Sequence, residues 1–325
     1  MTNKKNNKPK KHHYLPQFYL ENFKIDNENK MPQINVIPKN KRPFYTFVSA
    51  IKDTGCETDY HTIEINDTQK DRNTIESELS KIESIHCNII QKIITNHKIN
   101  SEDKEEIIKF LLLMRLRVPT HKKHIEELLK STVQTTYNIL DKSGRLPPKP
   151  KELQNIIDKG INPISISIMN WKLVQEMFKH AQDENLIEVH KKLNVTLCEI
   201  CNDDFFITSD VPVSIYYPNH DGIYGASILS PKTELFLPIS KKFGILFTNQ
   251  QNIPEHIILS KKQTQEFNRR TIIMAKTFLY LPERTDSIIK LIKRYWNKNA
   301  GEILDIIDRG GKGAFMIGRI LPVTD

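Results

Sequence analysis

Asn194-Val-Thr-Leu-Cys-Glu-Ile-Cys-Asn-Asp-Asp-Phe-Phe-Ile-Thr-Ser-Asp-Val-Pro-Val-Ser-Ile-Tyr-Tyr217 is where the hydrophobic period of this chain changes. Within it, 195–200, 205–208 and 213–217 read as short strands. Asn202-Asp203-Asp204 and Asp210-Val211-Pro212 break them with turn chemistry. Strand character continues at 235–239, 244–248 and 277–281, with helices expected over 261–274 and 287–297. Upstream the spacing is helical. Ile75, Leu79, Ile82, His86, Ile89 and Ile93 recur every three to four residues, with Asn73 and Glu76 placed for a capping box. A second helix runs from Ser101 to Arg117, and helical spacing resumes after Pro119, from His121 to Leu140. The two helices, 73–97 and 101–117, each carry one apolar stripe and are expected to pack together across a tight turn.

Helices first and strands later argue for an α+β fold, with a helical N-terminal half packed on a mainly antiparallel β region that ends in C-terminal helices. Near the start, a short helix after Pro16 and strands at 34–37 and 44–51 are expected, followed by a polar stretch to Asn73. Residues 141–162, rich in Pro and Gly, mark a long loop or sub-boundary, and Pro163 opens a further helix with Ile164, Ile168, Trp171, Val174 and Phe178 on one side. Residues 12–325 otherwise read as a single domain.

The bulk numbers narrow the function classes. The chain has 325 residues, 38% hydrophobic and 27% charged, enough for a sizeable core. No apolar run approaches the roughly 18 residues a membrane span needs, and the charged opening without an apolar stretch is not expected to be a secretory leader. Four cysteines do not make a disulfide framework, so a reduced, cytoplasmic protein is expected. The net charge of +9 is partly a tail effect: five lysines lie in residues 1–11, read as a disordered basic tail, and without them the body carries +4. Of the 48 basic residues 11 are Arg, so the charge alone is weak support for phosphate recognition.

The groups able to carry chemistry are few. Cys198 and Cys201 have CxxC spacing but no second ligand pair, and a strand turns positions i and i+3 to opposite faces, so no metal and no disulfide is expected there. His12 and His13 lie beside the basic tail, where an imidazole can move protons. Glu76 and Glu83, two helical turns apart, share a face and can hold a divalent metal or divide acid/base work. Arg117 ends an apolar helix and needs a carboxylate, with Glu76, Glu83 or Asp210 the natural partner. Phe205 to Pro212 delivers Thr208, Ser209 and Asp210 to a strand end, where sites often form. There is no Walker loop, GxSxG elbow, GxGxxG or HExxH.

Together these segments resemble the family called domain of unknown function 4238. The resemblance rests on His13-Tyr-Leu-Pro-Gln-Phe-Tyr-Leu-Glu-Asn-Phe23, Ile75-Glu-Ser-Glu-Leu-Ser-Lys-Ile-Glu83, Arg117-Val-Pro119 and Phe206-Ile-Thr-Ser-Asp-Val-Pro212. It implies that His13, Glu76, Glu83, Arg117 and Asp210 belong to one shared site; His12, Tyr14, Thr208 and Ser209 are expected beside it as substrate contacts. Carboxylates, a histidine and an arginine suit hydrolysis of nucleic-acid phosphodiesters. The leading expectation is therefore a nuclease of the defence or toxin type acting on RNA or DNA, with a divalent metal as its one candidate cofactor. The alternative is a binding or regulatory protein whose polar residues form a structural network.

Overall fold

The computed structural model describes residues 10–27, 31–39, 41, 44–65, 69–145, 170–220, 225–308 and 314–325. Residues 163–169 of the helix expected from Pro163, most of the loop at 141–162 and tail residues 1–9 lie outside them; the rest of that helix is present as Asn170–Ala181.

The chain opens with strand β1 (Lys11–His13), helix α1 (Gln17–Glu21) and strands β2 (Gln33–Pro38) and β3 (Phe47–Ala50). Three short strands follow, β4 (Cys56–Thr58), β5 (Ile63–Glu64) and β6 (Lys70–Asp71). Helices α2 (Thr74–Asn96), α3 (Lys104–Leu116), α4 (Pro119–Lys142), α5 (Asn170–Ala181) and α6 (Glu184–Lys191) make the helical half. Strands β7 (Asn194–Glu199), β8 (Thr208–Ser209), β9 (Ser214–Tyr216), β10 (Glu234–Pro238), β11 (Phe243–Thr248) and β12 (His256–Ile258) come next. Helix α7 (Lys261–Met274), β13 (Phe278–Leu281), helix α8 (Asp286–Tyr295) and the hairpin β14 (Gly301–Asp308) and β15 (Ala314–Leu321) complete the chain. This is the expected α+β arrangement.

Two sheets carry most of the strands. The larger has order β12-β7-β11-β10-β9 and is antiparallel except where β12 runs parallel to β7. The smaller, β3-β2-β13-β8, is antiparallel throughout. In the larger sheet Gly244 pairs with Pro238, and the ring of the nearby Phe236 would stand 2.4 Å from a Cβ, so only glycine fits there.

Helix α3 is the hub. Ile107, Ile108, Phe110, Leu111, Leu112, Leu113, Met114 and Leu116 are all buried, so it is apolar on nearly every side, as a central helix must be. Helix α2 buries Leu79, His86, Ile90 and Ile93 and packs on α3, with the His86 and Phe110 rings 5.1 Å apart. Lys92 on α2 also bridges to Asp103 at 2.9 Å across the connection. A second cluster joins Ile37, Leu279 and Leu281 of the smaller sheet to Ile272 on α7 and to Ile288 and Ile292 on α8. Lys39 is locked beneath it: its ammonium donates to the carbonyls of Ile272, Ala275 and Lys298 at 2.6–2.9 Å, capping the end of α7.

Several local expectations need correction. Asn73 makes no side-chain cap on α2. Asp71 accepts from the Asn73 and Thr74 N–H groups instead, at 2.8 and 3.1 Å, and Glu76 is released for another partner. Residues 205–207 are buried but outside any strand, leaving β8 only two residues long. The tail reading ends too late: Lys11 already belongs to β1, and the Lys10 N–H donates to Asp59 at 3.1 Å. The polar stretch before Asn73 contains β4, β5 and β6. Among the described residues no helix is long and apolar enough to cross a membrane.

Candidate functional site

The opening strand places the two histidines. β1 pairs antiparallel with β4, His12 opposite Glu57 and His13 opposite Cys56, and strand alternation sends their side chains to opposite sides. Gly55, at φ +65°, turns its carbonyl to accept from both Tyr14 and Leu15, which fixes where the strand ends. His13 faces a polar cleft of about 500 Å³ along α2, bordered also by Gln17, Glu76, Ser80, Glu83 and Arg117. His12 points away from it and is buried.

Arg117 is the pin of this region. Pro119 starts α4 and forces Val118 to be extended, so α3 stops with Arg117 at its end. The side chain is almost fully buried. One terminal nitrogen donates to Glu83 at 2.7 Å and the other to the His13 carbonyl. Tyr60 donates to the Arg117 carbonyl at 3.0 Å. A buried guanidinium paired this way is held rigidly but is not free to grip a substrate.

Behind the cleft lies His61, which the sequence reading passed over. It follows β4, and its Nδ1 stands 2.6 Å from a Glu76 carboxylate oxygen. Its backbone N–H donates to His12 Nδ1 at 2.9 Å, and the two imidazoles stack, 5.8 Å apart and 10° from parallel. Tyr60 and Phe178 close over the His61 ring. Donor atoms of His12, His61 and Glu76 lie within 4.8 Å of one another. Burial lowers the pKa of His12, His13 and His61, most strongly for His61, where the charge of Arg117 adds to the effect. The only hint of His61 in the sequence is an aromatic-histidine pair, Tyr60-His61, inside a polar stretch.

The structure brings together His13, Glu76, Glu83 and Arg117, with His12 behind. The two glutamates do not act as a joined pair: Glu76 reaches His61, whereas Glu83 reaches Arg117. Asp210 does not join them. Its carboxylate accepts from the Lys276 and Thr277 N–H groups at 3.0 and 2.7 Å, tying the start of β13 to the end of β8. Burial raises its pKa, against the pull of those N–H groups. Thr208 pairs with the Tyr19 hydroxyl at 2.6 Å, Ser209 closes a turn on Val211, and Tyr14 meets the Tyr280 hydroxyl at 3.3 Å. All three are buried, so the strand-end segment is part of the fold's interior and not a second wall of the cleft. Cys198 is buried on β7 with its thiol pushed up to about 12, whereas Cys201 is exposed beyond the strand end; both are free thiols.

A family model described as "Protein of unknown function (DUF4238)" matches residues 11–285. The chain belongs to this family. The DUF4238 match begins at the first residue of β1, takes in the whole cleft and the Asp210 segment, and stops just before α8. The β14–β15 hairpin of this DUF4238 protein thus lies beyond it. No curated protein and no solved structure matches the chain.

Proposed function

We propose that this protein is a cytoplasmic phosphodiesterase acting on nucleic acid, of the defence or toxin type, with its reaction centre in the cleft over α2. The observation that carries this reading is His13. The residue borders an open polar cleft shared with two carboxylates, and its buried Nε2 has no hydrogen-bond partner among the described residues. A turn of the ring that brings this nitrogen to the cleft lets it accept the proton of an attacking water or ribose hydroxyl. Glu83, fixed by Arg117, and Glu76, fixed by His61, then face the substrate from the α2 side. Arg117 serves as a positioning residue, because it holds both Glu83 and the His13 carbonyl.

Two carboxylates in the cleft repel a phosphodiester unless a cation stands between them and the substrate. Activity is therefore expected to depend on a divalent ion. Lys10 and Lys11, at the start of the cleft-forming strand, add backbone affinity that weakens with salt. The second reading, a structural network, is favoured by one observation: Asp210, Thr208 and Ser209 are fully engaged inside the fold. Incubating the purified chain with labelled RNA and DNA, with and without Mg²⁺, Mn²⁺ or Zn²⁺, separates the two. Cleavage that His13→Ala abolishes supports the enzyme; no cleavage under any condition supports the network.

A further inference from the structure

Behind the cleft, three potential ligands from three separate elements meet. His12 comes from β1, His61 from the turn after β4, and Glu76 from the first turn of α2. Their donor atoms lie within 4.8 Å of one another. Both imidazoles are about 1% exposed, and each keeps a buried Nε2 with no hydrogen-bond partner among the described residues. A buried polar atom without a partner costs about 1–3 kcal/mol. Two such nitrogens in a histidine pair whose donor atoms cluster with the Glu76 carboxylate therefore mark a place where a partner belongs.

We propose that His12, His61 and Glu76 bind one transition-metal dication of the zinc, manganese, iron(II) or cobalt(II) class. This goes beyond the phosphodiesterase reading and holds whatever the substrate is. Two imidazoles and one carboxylate suit these ions, whereas magnesium and calcium prefer oxygen ligands throughout. Three protein ligands leave coordination positions open, the pattern of a catalytic rather than a structural site. Glu76 also borders the cleft, so the open positions are reached from there. The nearby Arg117 charge does not stand alone against the ion, because Glu83 already pairs with it.

Entry of the ion demands two rearrangements, because the Glu76 carboxylate, 2.6 Å from His61 Nδ1, must turn toward the ion and a bond of His12 must open. His12 Nδ1 accepts the His61 N–H at 2.9 Å. An imidazole that ligates through Nε2 keeps its proton on Nδ1, so this bond must open as the metal enters. Only an ion that binds imidazole strongly offsets that loss, which again disfavours magnesium and calcium.

The test uses the full chain, stripped with EDTA and then exposed separately to ZnCl₂, CoCl₂ and MgCl₂ with no nucleic acid present, so a failure of cleavage does not bear on it. Metal content after gel filtration and the melting temperature are both read. The wild type should retain about one zinc or cobalt ion per chain, no magnesium, and melt higher when loaded. His61→Ala and Glu76→Gln should each weaken retention about 10-fold or more and lose the melting shift. Should His61→Ala fail to fold, Glu76→Gln, a near-isosteric change at the cleft wall, gives the same reading. Zinc and cobalt that fail to bind the wild type, or that bind the folded variants as well as the wild type, would overturn the proposal.

Discussion

Arg117 and Glu83, 34 positions apart, form the ion pair that fastens the end of α3 to the middle of α2, at 2.7 Å. Arg117 also holds the His13 carbonyl, so one buried charge fixes two walls of the cleft. Glu83→Gln leaves that charge without a compensating anion. Stability to urea should fall by about 3 kcal/mol, at the lower end for an uncompensated buried charge because Glu83 keeps some solvent contact. A double variant, Arg117→Met with Glu83→Leu, should recover most of the loss. Equal or greater instability in the double variant would show that the pair is not the pin described above.

Asp210→Asn separates structure from chemistry. The carboxylate accepts two N–H groups, one on each oxygen. An amide keeps one acceptor and turns its NH₂ toward the other donor. A loss of about 2 kcal/mol is expected, with the cleavage rate per folded molecule unchanged. Abolished cleavage at unchanged stability would return Asp210 to the reaction centre.

The end of the tail should matter more than its charge suggests. Lys11 pairs with Thr58 in the β1–β4 ladder, and Lys10 is tied to Asp59. Removing residues 1–11 should lower the melting temperature by several degrees relative to removing residues 1–9. Identical melting of the two truncations would mean that these contacts contribute nothing.

Two other histidines govern acid stability. His86 and His190 are buried, and burial holds each pKa down at about 4. In the unfolded chain each titrates near 6.5. Because the folded value is depressed, their contribution is intact above pH 6.5 and is lost as the pH falls toward 4, where the unfolded chain binds protons that the folded one refuses. Each steepens the loss by up to about 1.4 kcal/mol per pH unit. Urea denaturation from pH 7.5 to 4.5 should show a flatter profile for His86→Gln and for His190→Gln. A profile that neither change alters would contradict this assignment.

The fold class was legible because it depends on period. The stripe of α2, the apolar run of α3 and the switch to alternation after Asn194 each announce their element. The pairing of Arg117 was legible in kind, since a charge at the end of a buried helix demands an anion. Which anion it takes was not. Glu76 looks like a cap in the sequence, yet Asp71 does the capping and frees it for His61. His61 itself carries no periodic signal and reaches Glu76, behind the cleft, only through the short β4 strand and the turn after it. Asp210 misled for a related reason. A Thr-Ser-Asp at a strand end reads equally as a site or as a backbone tie, and only the tertiary position of Lys276 and Thr277 decides between them.

The claim that the α2 cleft is a reaction centre stands or falls on His13. The most direct measurement is the single-turnover cleavage rate of labelled RNA and DNA by wild type and His13→Ala, with divalent metal present and the folded fraction of each measured by thermal melting. Loss of a proton-transfer group should slow cleavage by about 100-fold or more with the melting temperature nearly retained. Cleavage at the wild-type rate by folded His13→Ala, or none by the wild type, would contradict the account.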